Sequence, residues 1–219
     1  MHQLYEFAAG PLLWIAWAVF ILGSLARIVF LVAITLDKNP VVINYFNPGY
    51  ALRSILAWSI PFFPRNSRLH PFMTIVSFSF HICVVIVPVF ALGHVVLWEE
   101  SFGLNLWSLP DQAADILTLA VIFSLLFFLL RRIFLKEVRY VTFASDYALL
   151  GLIAAPFITG YAAYHGWFDP QLVITVHILS GELLLIAIPF TRLIHMVFAP
   201  FTRAYTASEF GAVRHVKDW

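Results

Sequence analysis

The chain has 219 residues, of which 62% are hydrophobic and 11% charged, with a formal net charge of +1. Its mean hydropathy is +0.89. Soluble domains are about 45–50% apolar and about 25% charged, so this composition excludes a soluble globular enzyme, a disordered chain and a nucleic-acid-binding domain. The single cysteine, Cys83, lies inside an apolar run, which excludes a disulfide framework and a cysteine metal cluster.

Five continuous apolar stretches, 11–36, 71–98, 113–130, 141–164 and 173–198, predict five membrane-spanning helices, since a span needs about 20 residues. Continuous apolarity rather than alternation argues against a transmembrane barrel. No Lys or Arg precedes the first stretch and no small-residue cleavage pattern follows it, so it is expected to be a retained helix rather than a signal peptide. Between the first two spans, residues 50–63 form a short apolar segment with Arg53 that ends at Pro61 and Pro64. It is too short to span and is expected to lie in the inner interface. Residues 199–219 form a short tail. The fold class expected is all-α: an integral membrane five-helix bundle making one domain over 1–219.

Alternating the connections places all 13 Lys and Arg on one side or in spans whose ends face it. The 37–70 loop, the 131–140 loop and the tail carry eleven of them, and Arg27 and Arg192 lie in spans. The opposite side, residues 1–10, 99–112 and 165–172, carries Glu6, Glu99, Glu100, Asp111 and Asp169 but no basic residue. The positive-inside rule makes the basic side cytoplasmic, with the N-terminus outside and the C-terminus inside. Trp98, Trp107 and Trp167 fit an outer aromatic belt.

Ionisable side chains within spans are costly and mark functional sites by default. Here they are Arg27, His70, His81, His94, Asp146, His177, Glu182 and His195. At about 100° per residue, His70 and His81 differ by about 20° on the second span, and eighteen residues, or five turns, separate His177 from His195 on the fifth. In antiparallel spans this gives two His–His pairs, 70/195 near the cytoplasm and 81/177 nearer the outside. His94 is about 220° from His81 on a continuous helix and is expected to face away. Facing histidines suit haem iron, whose porphyrin fills the other coordination positions. Zinc would want a third and fourth protein ligand. Without Cys-x-x-Cys-His the haems are expected to be non-covalent b-type. The two ladders rise about 16 and about 27 Å, a mismatch left for helix tilt and for His70, which precedes Pro71, to absorb. The competing reading is scattered packing histidines.

The histidines in RLHPFMTIVSFSFHIC and VHILSGELLLIAIPFTRLIH give the chain a pattern that resembles the gamma-subunit family of respiratory nitrate reductases, five-span dihaem cytochromes b with an outside N-terminus. The resemblance implies that His70 and His195 hold the haem nearer the cytoplasm and His81 and His177 the other. The segment SIPFFPRNSRLHPFMTIVSFSFHIC looks more like the cytochrome b subunits of sulfate-reducer transmembrane redox complexes. Those partner a cytoplasmic iron–sulfur protein similar to heterodisulfide reductase, often a periplasmic multihaem cytochrome c, and other membrane subunits. The cofactors implied are two haem b, with menaquinone as the candidate quinone, in a bacterial inner membrane. Gamma subunits oxidise quinol at the outer haem. Here Glu182, His94 and His165 are the polar groups available, Phe80 precedes His81 and no basic residue lies outside. The quinol site is therefore not carried over residue by residue, and an outer cytochrome c steered by Glu99, Glu100 and Asp111 is the alternative electron donor.

Arg27 and Arg68 are the candidate haem-propionate partners, with Arg65, Arg192 and Arg203 beside them. The competing accounts are snorkelling for Arg27 and topology signals for the rest. Asp146 is expected to begin or cap the fourth helix. Glu182 has three readings: proton relay, quinone contact or helix–helix hydrogen bond. Cys83 reads as packing, and Gly151, Gly160 and Gly181 as points of close helix approach. The tail, with Arg203, Arg214 and Lys217, is expected to dock a soluble subunit or anionic lipid. Two rival functions remain at this level: a transporter or proton pathway using the same groups, and a haem-free membrane anchor.

Overall fold

The computed structural model describes residues 2–219. Among them every regular element is helical and no strand occurs: α1 (His2–Phe7), α2 (Leu13–Lys38), α3 (Val42–Tyr45), α4 (Pro48–Ser59), α5 (Arg65–Leu69), α6 (Pro71–Phe90), α7 (Leu92–Phe102), α8 (Asp111–Phe134), α9 (Lys136–Tyr140), α10 (Ala144–Tyr164), α11 (Pro170–Ala187) and α12 (His195–Ser208). Five helical stretches are long and apolar enough to cross a membrane: His2–Lys38, Pro71–Phe90, Asp111–Phe134, Ala144–Tyr164 and Pro170–Phe190. Large apolar side chains such as Leu22 (65% exposed), Val29 (66%) and Ile116 (66%) point outward from them. That is the surface a lipid-facing helix presents, because lipid tails are as apolar as leucine.

Proline shapes three of these spans. Pro11 sits in a π-helical turn, Ala8–Leu12, that joins α1 to α2, so the first span begins well before residue 11. The second span ends at Phe90 rather than 98. Pro88 has no N–H to give and crowds the preceding turn, and Ala91 turns extended at ψ 138 before α7 begins. The Phe90 carbonyl, left without a helical donor, accepts from Leu109 N at 2.8 Å. The fifth span is likewise not one helix over 173–198. α11 passes into a 3-10 turn, Ile188–Phe190, that contains Pro189. The chain then extends at Thr191 (φ −124, ψ −175), whose Oγ1 accepts from Leu193 N at 3.3 Å, and a second 3-10 turn, Arg192–Ile194, leads into α12.

The chain forms two compact units. One comprises residues 2–9 with Ile75–Gly181. Its core is Cys83 and Val87 of α6, Val121 and Leu125 of α8, and Phe157 of α10, flanked by Phe80, Leu117 and Ile153. Cys83 is therefore a packing residue, as its apolar neighbours imply. Polar residues tolerate this setting by bonding back to their own helix: Thr118 Oγ1 donates to the Ala114 carbonyl and Ser124 Oγ to that of Ala120, both at 2.7 Å. Asp146 begins α10 as expected: Phe143 N donates to its Oδ2 at 2.8 Å, and Arg132 Nη1 lies 3.9 Å away.

The other unit comprises Gly10–Thr74 with Glu182–Trp219. The 50–63 segment is a helix, α4, from Pro48 to Ser59. Asn47 caps it, its Oδ1 accepting from Gly49 N and Tyr50 N at 2.9 and 3.2 Å, and Pro48 stands at its first position. α4 packs on α12. Residues 199–219 are not a loose tail. α12 runs to Ser208, and the last residues fold back on α4. Asp218 Oδ2 accepts from Ser54 Oγ at 2.6 Å and from Arg203 Nη2 at 2.9 Å, and Trp58 Nε1 donates to the Asp218 carbonyl at 3.3 Å. Arg203 in turn lies 4.6 Å over the Trp58 ring.

Asp218→Ala would strand the buried Ser54 hydroxyl and the Arg203 charge. Breaking such a bonded carboxylate costs about 2 kcal/mol, between a neutral hydrogen bond and a fully buried ion pair. The expected outcome is release of the C-terminal segment, read as tryptic cleavage after Arg214 and Lys217 that is faster by roughly tenfold or more. An unchanged cleavage rate would show that these bonds do not hold the segment.

Candidate functional site

The histidines divide between the two units. In the first, His81 sits midway along α6 with Nδ1 2.6 Å from the Ser77 carbonyl, and Phe80 stands edge-on to its ring at 5.2 Å. His177, on α11, places Nδ1 2.9 Å from the Pro156 carbonyl of α10, with Thr159 Oγ1 at 3.4 Å. In the second, His195 opens α12 with Nδ1 2.8 Å from the Arg192 carbonyl. His70 lies between α5 and α6 at φ −127, ψ 64. It is outside the regular helix, as the following Pro71 predicts, and its carbonyl accepts from Thr74 N at 2.9 Å.

A carbonyl can only accept, so a ring nitrogen facing one must carry the proton. His81, His177 and His195 are therefore held as Nδ1–H tautomers, each with its lone pair on Nε2. This is the arrangement by which proteins orient imidazoles toward a metal: the outer N–H is tied to a backbone carbonyl and the inner nitrogen is the ligand. His70, His81 and His195 are exposed. Among the described residues no set of three or more His, Cys, Asp or Glu converges as a metal cage. A haem iron needs only two protein ligands. Two imidazoles would therefore suffice for haem but not for zinc.

Gly160 belongs to this site. A Cβ there would stand 2.8 Å from His177 Cε1 and 3.0 Å from its Nδ1. What approaches Gly160 is thus the His177 ring. Gly151 and Gly181 have nothing within 4 Å of where a Cβ would be, so the expectation of close helix approach is not met at those two.

The ring that meets His177 is His94, with centroids 5.8 Å apart and planes 20° from parallel. This corrects the expectation that His94 faces away. The 220° phase assumed a continuous helix from His81, and the break at Ala91 resets it. Thr191 likewise interrupts the helical count between His177 and His195. The signals for both breaks, Pro88 with Gly93 and Pro189 with Thr191, are in the sequence but carry no weight in hydropathy.

The remaining candidates are placed as follows. Arg27 is exposed on α2, its guanidinium 5.8 Å from the Phe30 ring. Arg68 is exposed at the end of α5. His165 pairs with Asp115 at 3.1 Å, and its ring lies 4.3 Å from that of Tyr161, tilted by 44°. Glu182 is only 3% exposed, yet neither of its oxygens has a hydrogen bond. The helix–helix hydrogen bond considered for it is not formed.

The five apolar helices make this a multi-pass helical membrane protein. No known family profile matches the chain. A curated protein of Nitratidesulfovibrio vulgaris strain Hildenborough is 39% identical over 219 residues, spanning 96% of this chain and 95% of its own length, and its name states no activity. The chain belongs to the same family as that protein.

Proposed function

We propose that the protein is a dihaem b-type cytochrome subunit of a respiratory complex in the bacterial cytoplasmic membrane, with its N-terminus outside and its C-terminus inside. It carries electrons across the membrane between a quinone pool, menaquinone in the first instance, or an outer multihaem cytochrome c, and a cytoplasmic iron–sulfur subunit. His177 and His195 anchor the outer and inner sites. By the resemblance to nitrate reductase gamma subunits, His81 and His70 stand opposite them. Arg27 and Arg68 are the propionate partners on the inner side, where every basic residue lies in the topology that the charge distribution favours.

What carries the reading is the matching tautomer of His81, His177 and His195, each with Nδ1 on a backbone carbonyl. When bound, haem supplies reversible one-electron chemistry. The chain fixes imidazole orientation and surrounds the site with apolar groups, and both tune a haem potential.

The test is a reduced-minus-oxidised visible spectrum with extracted-haem quantitation on the purified chain. Two b-type haems per chain are expected. A well-folded preparation without haem, made with ample haem supply, would overturn the reading. It would shift the weight to a proton pathway built on Glu182, which is buried without a partner, or to a membrane anchor.

A further inference from the structure

We propose that the cavity between α4 and the folded-back C-terminal segment binds the phosphate of an anionic phospholipid, with Arg53 and Lys217 as its cationic ligands. The site lies within the unit formed by Gly10–Thr74 and Glu182–Trp219. It uses none of the histidines assigned to haem and goes beyond that reading.

The cavity is lined by Tyr50, Arg53, His215, Lys217, Asp218 and Trp219 among others, and has a volume of about 210 Å³. Sites that enclose a cofactor or drug-sized ligand run to roughly 300–1,000 Å³, so this one has room for a headgroup rather than a whole cofactor. Arg53, His215 and Lys217 are exposed and open it to the surface.

The charges decide what it takes. Of the tail cations, Arg203 is held by Asp218 at 2.9 Å and Arg214 by Glu209, Nε to Oε1 at 3.1 Å. Arg53 and Lys217 have no carboxylate partner among the described residues. Both are instead brought to one indole ring: the Arg53 guanidinium lies 5.4 Å and Lys217 Nζ 6.0 Å from the Trp219 centroid. A ring face attracts a cation but does not cancel its charge, and like charges at one ring repel. An anion removes that repulsion. Phosphate suits both groups, since guanidinium and ammonium each donate to its oxygens. Asp218 does not compete, because its Oδ2 already accepts from Ser54 and Arg203.

The frame of the site is built, not loose. The Tyr50 ring lies on Gly211, where a Cβ would collide with it. His215 is left-handed at φ 53, a conformation that residues other than glycine enter at a cost and that gathers at ligand clamps. Val216 N donates to the Phe210 carbonyl at 3.0 Å and closes this turn.

The surroundings favour lipid over an acidic protein segment. α4 buries Ala51, Ser54 and Ala57 and packs on α12. It exposes Leu52 (58%) and Leu56 (55%), one turn apart and beside Arg53, and Val213 and Val216 are exposed too. A 12-residue helix is too short to span, and an apolar stripe flanked by cations is what an interfacial helix presents to headgroups and acyl chains. An acidic segment would meet the cations but leave the leucines uncovered.

The test is titration of the full-length protein, delipidated in a neutral detergent, with phosphatidylglycerol, read by native mass spectrometry. The protein is expected to retain one phosphatidylglycerol in preference to phosphatidylcholine. Arg53→Gln/Lys217→Gln is expected to weaken that binding roughly thirtyfold, about fivefold for each cation removed. Lys136→Gln/Arg139→Gln removes the same charge elsewhere and is expected to bind as the unaltered chain does. Equal losses in the two double variants would overturn the proposal, because general charge attraction would then suffice. Equal retention of phosphatidylcholine would overturn it as well. Displacement of the lipid by equimolar inorganic phosphate would reassign the site to a free anion, and displacement by octaglutamate to an acidic protein segment; either result overturns the lipid assignment. If the Arg53→Gln/Lys217→Gln protein does not fold, Lys217→Gln alone decides, with about a fivefold loss expected and no loss counting against the site.

Discussion

His177→Ala is expected to leave the chain with one haem instead of two, the inner one. The side chain cannot be replaced by a neighbour, because its position is set by two elements together. α11 carries the ring, and α10 holds it through the Pro156 carbonyl at 2.9 Å, with Thr159 Oγ1 at 3.4 Å. Alanine removes the ligand and also empties the space over Gly160, where the ring now lies. The Pro156 carbonyl, Thr159 Oγ1 and the His94 ring border that space. Haem content per chain should fall by about half, and the reduced spectrum should lose one of two b-type components. His165→Ala is the matched control. That ring pairs with Asp115 at 3.1 Å and has no place in the ligand set, so both haems should remain. Equal haem content in His177→Ala and the unaltered chain would remove His177 from the site, and with it the outer haem assignment.

Much of this was legible from the chain alone, and the parts that were not share a cause. Each of the five spans is a continuous apolar run, and an apolar run of that length has few alternatives to a membrane helix. Asp146 at the start of α10 and His70 outside the helix that Pro71 opens were legible because capping and proline effects act within a few residues. Pro88 and Pro189 are different. Both lie inside apolar runs, so hydropathy passes over them, yet each removes a backbone donor and breaks the helical count that follows. The inference that carried an angle across Pro88 and turned His94 away from His177 failed. The carbonyl partners of the histidines were not legible either. The Pro156–His177 contact joins residues 21 apart on different helices. The folded-back C-terminus joins Ser54 to Asp218, 164 residues away. Nothing in local pattern marks such pairs. Gly160 falls between these cases. Its smallness is visible in the sequence, but the side chain that needs the space is not.

Gly160 also provides the sharpest test of how His177 is held. On an isolated helix Gly→Ala is favourable by about 1 kcal/mol, since alanine has the higher helix propensity. At position 160 the new methyl would stand 2.8 Å from His177 Cε1 and 3.0 Å from Nδ1, with Nε2 at 3.7 Å. Contacts that short cannot persist, so the ring must move, and moving it pulls Nδ1 from the Pro156 carbonyl. Overpacking of this kind costs about 1–3 kcal/mol, enough to cancel the propensity gain, and the lost hydrogen bond adds about 1 kcal/mol. The net is a loss of about 1–3 kcal/mol, which any packing defect on this helix would also give, so the haem is a more specific readout than thermal stability. Gly160→Ala is expected to lower retention of the outer haem on washing and to shift its low-spin signal, while the inner haem is unaffected. Gly151→Ala, nine residues earlier on the same helix and with open space around its Cβ position, should leave both haems unchanged. If Gly160→Ala behaves as Gly151→Ala does, the His177 ring does not depend on that space, and its orientation must come from the Pro156 carbonyl alone.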